Sequence, residues 1–282
     1  MKAFISVDLE GLPHIVAPAH LNLRGSLYSE ARKIATQLTI VTAQTLHENG
    51  FDEVIIADSH GPMVNLIVDG LPEYCQIVRG TPRPTSMVSG IETCDCALFI
   101  GYHAKFGTAY STFDHTYSSA SIQQLSLNGI PVSEYLLNAY IAGEYNIPVI
   151  LAAGDAALLS GDITTYTPWV EKVTLKHSLS RLAAISPSMV KIEQELVKST
   201  QTAIKNFSEQ KTKPFVATKP IEMSITFLAS HFADVAELLP KSTRVDGLKI
   251  KYSADNMVEA YKVFQLLVSA AQGVRATMDY LQ

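Results

Sequence analysis

The chain has 282 residues, of which 47% are hydrophobic and 17% charged, a make-up that suits a well-packed globular protein and excludes a disordered or fibrous one. A net charge of −5 and the lack of any basic block argue against nucleic acid as a partner, because phosphate binding needs clustered Lys and Arg. The length allows one large domain, or one domain with a smaller companion.

Residues 1–10 read as a strand carrying two carboxylates rather than as a secretory leader. No apolar run approaches the ~18–20 residues that cross a bilayer, so no membrane partner and a cytoplasmic location are expected. Three cysteines, Cys75, Cys94 and Cys96, are too few for a disulfide framework and read as free, largely buried thiols.

Taken in order, Lys2–Val7 is an apolar strand ending in Asp8-Leu9-Glu10-Gly11. Helical spacing of apolar residues runs from about Ser29 to Asn49, and Gly50 stands where a helix commonly terminates in the left-handed conformation. A second strand, Glu53–Ala57, leads into Asp58-Ser59-His60-Gly61, and Cys75–Val78 is a short strand before the Pro-rich loop Thr81–Pro84. The apolar run Cys96–Gly101 ends at Tyr102-His103. Residues Ser121–Val132 alternate about Asn128-Gly129, a pair that suits the two positive φ angles of a tight hairpin turn. Ser133 caps a helix reaching about Tyr145, and Pro148–Ala153 is another buried strand.

After about Ile185 the character changes. Ser186-Pro187 is expected to open an amphipathic helix to about Phe207. A strand (Ile221–Phe227), a helix (His231–Leu239), a strand (Leu248–Tyr252) and a helix (Asn256–Ala271) follow. Apolar strands alternating with helices predict an α/β fold built on a mostly parallel sheet covered on both faces. The later elements predict a smaller C-terminal α+β domain, with a division into residues 1–190 and 191–282.

Side chains alternate along a strand, so Ser6, Asp8 and Glu10 share a face. Two carboxylates at the end of a buried strand are costly unless a cation or donors compensate. His60 and His103 follow their strands within a few residues, and ligand sites in open α/β sheets lie at the carboxyl ends of strands. Three strands therefore bring Asp8, Glu10, His60 and His103 to one edge, where Glu134 at the start of the next helix could join them. Mixed carboxylate and imidazole ligands suit zinc. Five candidates exceed the three usual for one catalytic zinc, so two ions with Asp8 as the bridge are expected. Asp58 is either a partner of a histidine or a turn residue, and Asp155 either a site residue or a helix cap. His14, His20, His47, His177 and His231 read as surface or packing residues.

These motifs resemble the zinc-dependent D-aminopeptidases of the DppA type, peptidase family M55. The likeness is carried by Ser6-Val7-Asp8-Leu9-Glu10-Gly11, Asp58-Ser59-His60-Gly61, Gly101-Tyr102-His103-Ala104, His115, Asn128-Gly129, Glu134 and Asn138-Ala139-Tyr140. It continues through Val149–Asp155, Lys176, Ser186-Pro187 and Met257–Tyr261. The resemblance implies a Rossmann-like domain with a smaller C-terminal domain, and a two-zinc centre on Asp8, Glu10, His60, His103 and Glu134. It also implies a catalytic role for His115, release of N-terminal D-residues from short peptides, and assembly into a ring, a decamer of two pentamers. Asp114, before His115, falls outside the family pattern as read here. A two-metal hydrolase of another amide or ester, and a dipeptide-binding or transport accessory protein without turnover, are the competing readings.

Overall fold

In the computed structural model, which describes residues 1–281, strand β1 (Lys2–Val7) is buried on both faces. A strand tolerates that only inside a covered sheet. Its neighbours are β2 (Glu53–Asp58) and β4 (Cys96–Tyr102), both parallel to it. The sheet is completed by β3 (Cys75–Val78), β7 (Val149–Asp155), β8 (Glu171–Ser180) and β9 (Ala183–Ile185), in the order β3-β2-β1-β4-β7-β8-β9. Only β9 runs antiparallel to its neighbour. The order reverses between β1 and β4, and a reversal of this kind opens a crevice at the carboxyl ends of the strands.

The two faces follow the alternation of β1. Ala3, Ile5 and Val7 pack on α1 (Tyr28–Glu48) and on a helix at Met189–Ser208. Phe4 points to the opposite core, which contains α2 (Glu134–Glu144). Helix α1 ends where the sequence reading placed its end, with Asn49 as cap and Gly50 at φ +95. Ser133 caps α2, its hydroxyl accepting from the Leu136 N–H at 3.3 Å.

A second sheet is antiparallel, in the order β11-β12-β10-β5-β6. Its strands are β5 (Ile122–Leu127), β6 (Ile130–Pro131), β10 (Ile221–Phe227), β11 (Thr243–Arg244) and β12 (Lys249–Ala254). Asn128 and Gly129 turn β5 into β6 with φ +50 and +82, as their chemistry predicted. The sheets do not respect a cut at residue 190. The β5–β6 hairpin leaves the first half of the chain to pair with β10, while α3 (Met189–Ser208) packs back on α1 and the first sheet. The physical reason is amphipathicity: each element goes to whichever core its apolar face matches, irrespective of chain position.

Local boundaries also moved. Helix α3 starts at Met189 because Ser188, not Ser186, is its cap. Beyond α4 (Ser230–Ala236), α5 (Met257–Leu281) runs ten residues past the expected Ala271. Its final turns are largely exposed, so no apolar periodicity marked them. The hairpin β8–β9 was not anticipated at all.

At Gly101 the pairing of β4 with β7 slips, forming a bulge at φ +78. A Cβ there would lie 2.0 Å from the Asp8 carbonyl oxygen. The slip lets the Gly101 carbonyl accept from Gly11 N–H at 2.7 Å and fixes the chain on either side of two candidate ligands. Gly101→Ala is expected to cost roughly 2 kcal/mol or more in urea unfolding, since it adds left-handed strain to a backbone clash. An unchanged midpoint would show that the close approach is dispensable.

Candidate metal centre and active site

The register of the central strands sets the site. Val7 pairs with Asp58 and with Ile100, so the ends of β1, β2 and β4 lie level. Asp8 and Glu10 follow β1, His60 stands two residues after β2, and His103 immediately follows β4. Glu134 is the first residue of α2, and His115 sits on the loop from β4 to β5. All five expected ligands are at most 8% exposed, so three carboxylates share a site almost closed to water.

The structure brings all six residues together. His60 Nδ1 lies 2.8 Å from Glu10 Oε2 and 3.4 Å from Asp8 Oδ1. His103 Nε2 is 3.7 Å from Asp8 Oδ2 and 3.6 Å from Glu134 Oε1. His115 Nε2 is 3.5 Å from Glu134 Oε1, and its ring stacks on His103 with centroids 4.5 Å apart. Three overlapping sets of ligand atoms each fall within 4.8 Å: Asp8, Glu10 and His60; Asp8, His103 and Glu134; and Glu10, His103 and His115. Asp8 joins the first two sets, as a bridging carboxylate would.

The three imidazoles are aimed alike. Each gives one ring N–H to a backbone carbonyl: His60 Nε2 to Leu21 (3.0 Å), His103 Nδ1 to Ala104 (3.0 Å) and His115 Nδ1 to Phe113 (2.6 Å). Such bonds set the orientation of ligating histidines. The remaining nitrogen of every ring faces the carboxylates. The Oδ2 of Asp8 and the Nε2 of His103 hydrogen-bond to nothing among the described residues, although both are buried. Orphaned atoms of this kind are expensive unless a cation takes them up, and this donor set fits zinc.

The charges show the same shortage of positive partners. Burial, and then the Glu10 carboxylate, push Asp8 well above the ordinary carboxylate range. Burial also raises Glu134. For Glu10, burial is outweighed by the adjacent His60 imidazolium, which holds it well below the usual value. His60 is raised in return, burial notwithstanding, chiefly by Glu10. Burial, reinforced by His115, drops His103 to about 3 and keeps that ring neutral.

Beneath the ligands runs a buried polar layer that sequence reasoning missed. Ser6 Oγ meets Tyr102 Oη (2.7 Å) and Ser59 Oγ (2.9 Å), Asn138 Nδ2 donates to Tyr102 Oη (3.0 Å), and Tyr261 Oη donates to Asn138 Oδ1 (2.9 Å). Ser6, Ser59, Tyr102 and Asn138 stand two, one, one and four residues from Asp8, His60, His103 and Glu134. Tyr117 N–H donates to Glu134 Oε1 at 2.7 Å. Lys176, fully buried on β8, donates to the carbonyls of Glu10 and of Ile15 (2.8 Å for the latter). Burial lowers it to about 8. The readable signal was a lysine at an inward position of a strand.

Two open choices resolve. Asp58 accepts from Asn65 Nδ2 (2.6 Å) and Leu66 N–H (2.8 Å), so it closes the 58–66 loop and touches no imidazole. Asp155 caps Ala157 N–H (2.8 Å) and accepts from Ser178 Oγ (2.6 Å) and Thr112 N–H (3.1 Å). His20 is buried against Ala17, and His47 stacks on Tyr74 at 3.9 Å, both packing roles.

A cavity of about 560 Å³ opens over the cluster, with Ser118–Ser121 and one face of α5 among its walls. A ligand set at the floor of a cleft this size is an arrangement for acting on a small molecule.

The profile of the M55 peptidase family, described as D-aminopeptidase, matches residues 1–266. The chain belongs to that family. The D-aminopeptidase of Bacillus subtilis (strain 168) is 30% identical over 273 residues, covering 96% of this chain and 98% of that one. A solved structure, the Zn-dependent D-aminopeptidase DppA from Bacillus subtilis, described as a self-compartmentalizing protease, superposes with a TM-score of 0.92 at 30% identity. That match covers 96% of this chain and 98% of the other. Membership carries a reaction class, so the chain is a peptidase and the expected α/β architecture is that of its relatives.

Removing metal with a chelator should leave Asp8, Glu10 and Glu134 buried close together without the cation that balances them. The melting temperature is expected to fall by roughly 10 °C and to recover on adding zinc, since a tightly bound ion contributes about 4 kcal/mol at a thousandfold its dissociation constant. A chelator-insensitive melt would mean that the donor set stabilises nothing by binding metal.

Proposed function

We propose that the chain is a zinc-dependent D-aminopeptidase that releases N-terminal residues from short peptides. Asp8, Glu10, His60, His103 and Glu134 would hold two zinc ions, with His115 as the catalytic group. The observation that carries this reading is the common aim of the three imidazoles, each anchored on a carbonyl and turned toward the carboxylates, with Asp8 Oδ2 and His103 Nε2 left without a partner among the described residues. When bound, zinc supplies Lewis acidity for the scissile carbonyl and for the attacking water.

The chain's own residues supply the rest. His115 holds its Nδ1 proton on the Phe113 carbonyl, so its Nε2 faces the cavity edge of the cluster beside Glu134. From there it can take a proton from water and pass one to the leaving amine. A cavity of about 560 Å³ suits a small ligand such as a short peptide.

The competing hydrolase of phosphoesters gains no support from Arg79, Arg83 or Lys105, which are committed elsewhere, and leaves Arg275 as the cation on the cavity wall. Arg79 donates to the Val64 carbonyl, Arg83 to those of Val78 and Asp58, and Lys105 pairs with Asp162. For a dipeptide carrier without turnover, so closely gathered a ligand set would have no purpose.

We further propose that copies assemble as a ring, a decamer of two pentamers, and that the protein works in the cytoplasm. Exposed Leu179, Leu182, Ile185 and Val190 about the β8–β9 edge offer an apolar surface for such contacts. No helix among the described residues is long and apolar enough to cross a membrane. We also propose a catalytic unit at 1–190 and a smaller unit at 191–282, joined through the β5–β6 hairpin of the first, which pairs with β10 of the second.

Elemental analysis of protein purified without chelator should find about two zinc per chain, with D-Ala p-nitroanilide cleaved faster than the L-isomer. His115→Ala is expected to keep its zinc and lose roughly 10²–10⁴-fold in kcat. Full kcat in that variant would remove His115 from the chemistry, and a preference for the L-substrate would overturn the stereochemical reading.

A further inference from the structure

The loop that carries His115 is strained and clamped from one side. Phe113 and Tyr117, two residues before and after His115, hold φ +53 and +62, a region that favours glycine over aromatic side chains. Such a conformation persists only where the surroundings enforce it. Much of that enforcement comes from the turn between β8 and β9. The Phe113 N–H donates to the Arg181 carbonyl (3.1 Å), and Arg181 Nη1 donates to the Asp114 carbonyl (2.9 Å) and pairs with the Asp114 carboxylate. The other Asp114 oxygen accepts from Gly107 N–H at 2.7 Å, closing the loop onto itself. One residue up the chain, Thr112 N–H donates to Ser178 Oγ at 3.0 Å, on the same hairpin.

The clamp brackets the peptide that fixes His115. The Phe113 carbonyl, which accepts from His115 Nδ1 at 2.6 Å, belongs to the peptide linking Phe113 to Asp114. Arg181 holds the peptides on either side of that unit, its carbonyl accepting from the Phe113 N–H and its guanidinium donating to the Asp114 carbonyl. The remaining contacts of His115 are the Ala104 carbonyl on its backbone N–H (3.3 Å), the stacked His103 ring and Glu134. Neither of the first two determines which ring nitrogen keeps the proton.

We infer that Arg181, through the Phe113–Asp114 peptide, is a positioning residue that sets the orientation and tautomer of His115. Arg181 contacts no candidate metal ligand, and its side chain is 49% exposed, so neither metal binding nor the core depends on it. The inference rests on His115 being the catalytic group. Asp114 and Arg181 form a matched pair, and loss of either partner should have the same consequence.

The experiment compares kcat, KM and zinc content in the wild type, Arg181→Ala, Arg181→Lys, Asp114→Asn, His115→Ala and the Arg181→Ala/His115→Ala double variant. Arg181→Ala should lower kcat roughly ten- to a hundredfold with KM and zinc unchanged, the scale of loss that slight misplacement of a reacting group brings. Asp114→Asn, which keeps the side-chain shape, should move kcat in the same direction. Arg181→Lys should recover part of the loss, since an ammonium can still reach the Asp114 oxygens. In the His115→Ala background, Arg181→Ala should change kcat by less than about twofold, because two residues acting through one group are not additive. A kcat within twofold of wild type for Arg181→Ala, or an equal loss with and without His115, overturns the inference. Should His115→Ala alone retain full kcat with zinc bound, the catalytic reading of His115 fails first and the positioning role falls with it.

Discussion

Three carboxylates cannot be buried within a few ångströms of one another unless positive charge is buried with them. Asp8, Glu10 and Glu134 impose that constraint, and the protein meets it only in part. Glu10 holds His60 well above the ordinary imidazole range despite its burial, while burial drops His103 to about 3. Lys176 lies close by, yet its hydrogens go to the carbonyls of Glu10 and Ile15 rather than to a carboxylate. The balance is left for a cation, and much of the surrounding architecture serves to keep the donors aimed while that demand exists.

The aim is achieved by backbone more than by side chains. A bulge at Gly101 brings β4 against the Asp8 peptide, and Lys176 pins the turn that carries Glu10. Carbonyls of Leu21, Ala104 and Phe113 orient the imidazoles. The hydroxyl and amide layer of Ser6, Ser59, Tyr102, Asn138 and Tyr261 ties β1, β2, β4, α2 and α5 at the depth just below the ligands. A preorganised site of this kind spends no energy on rearrangement when substrate arrives.

The polypeptide also divides its labour by face and by edge. The even-numbered side of β1 leads from Phe4 through Ser6 to Asp8, from core to polar layer to ligand, whereas Ala3, Ile5 and Val7 supply the opposite core. The hairpin at the far edge of the first sheet holds the His115 loop and shows exposed apolar side chains to solvent. Contact between copies at that edge would therefore bear on the loop that carries His115.

Part of this was legible without coordinates. Strand ends next to Asp8, His60 and His103, the Asn128-Gly129 turn, Ser133 and Gly50 are local signals, because each depends on residues within a few positions of one another. So were the five expected ligands, which lie together as the parallel register of three strands requires. Residues whose role depends on a distant partner were not legible. Lys176 contacts Glu10 from 166 positions away, Tyr261 reaches Asn138 across 123, and Arg181 reaches Asp114 across 67. The crossing of the β5–β6 hairpin into the second sheet belongs with them, since alternation marks a strand but does not name its neighbour. By itself the sequence determined the elements and the residue types at their ends; tertiary structure alone decided which elements share a core, and which carbonyl, lysine or arginine lies against each part of the cluster, because long-range pairing is selected by packing and not by proximity along the chain.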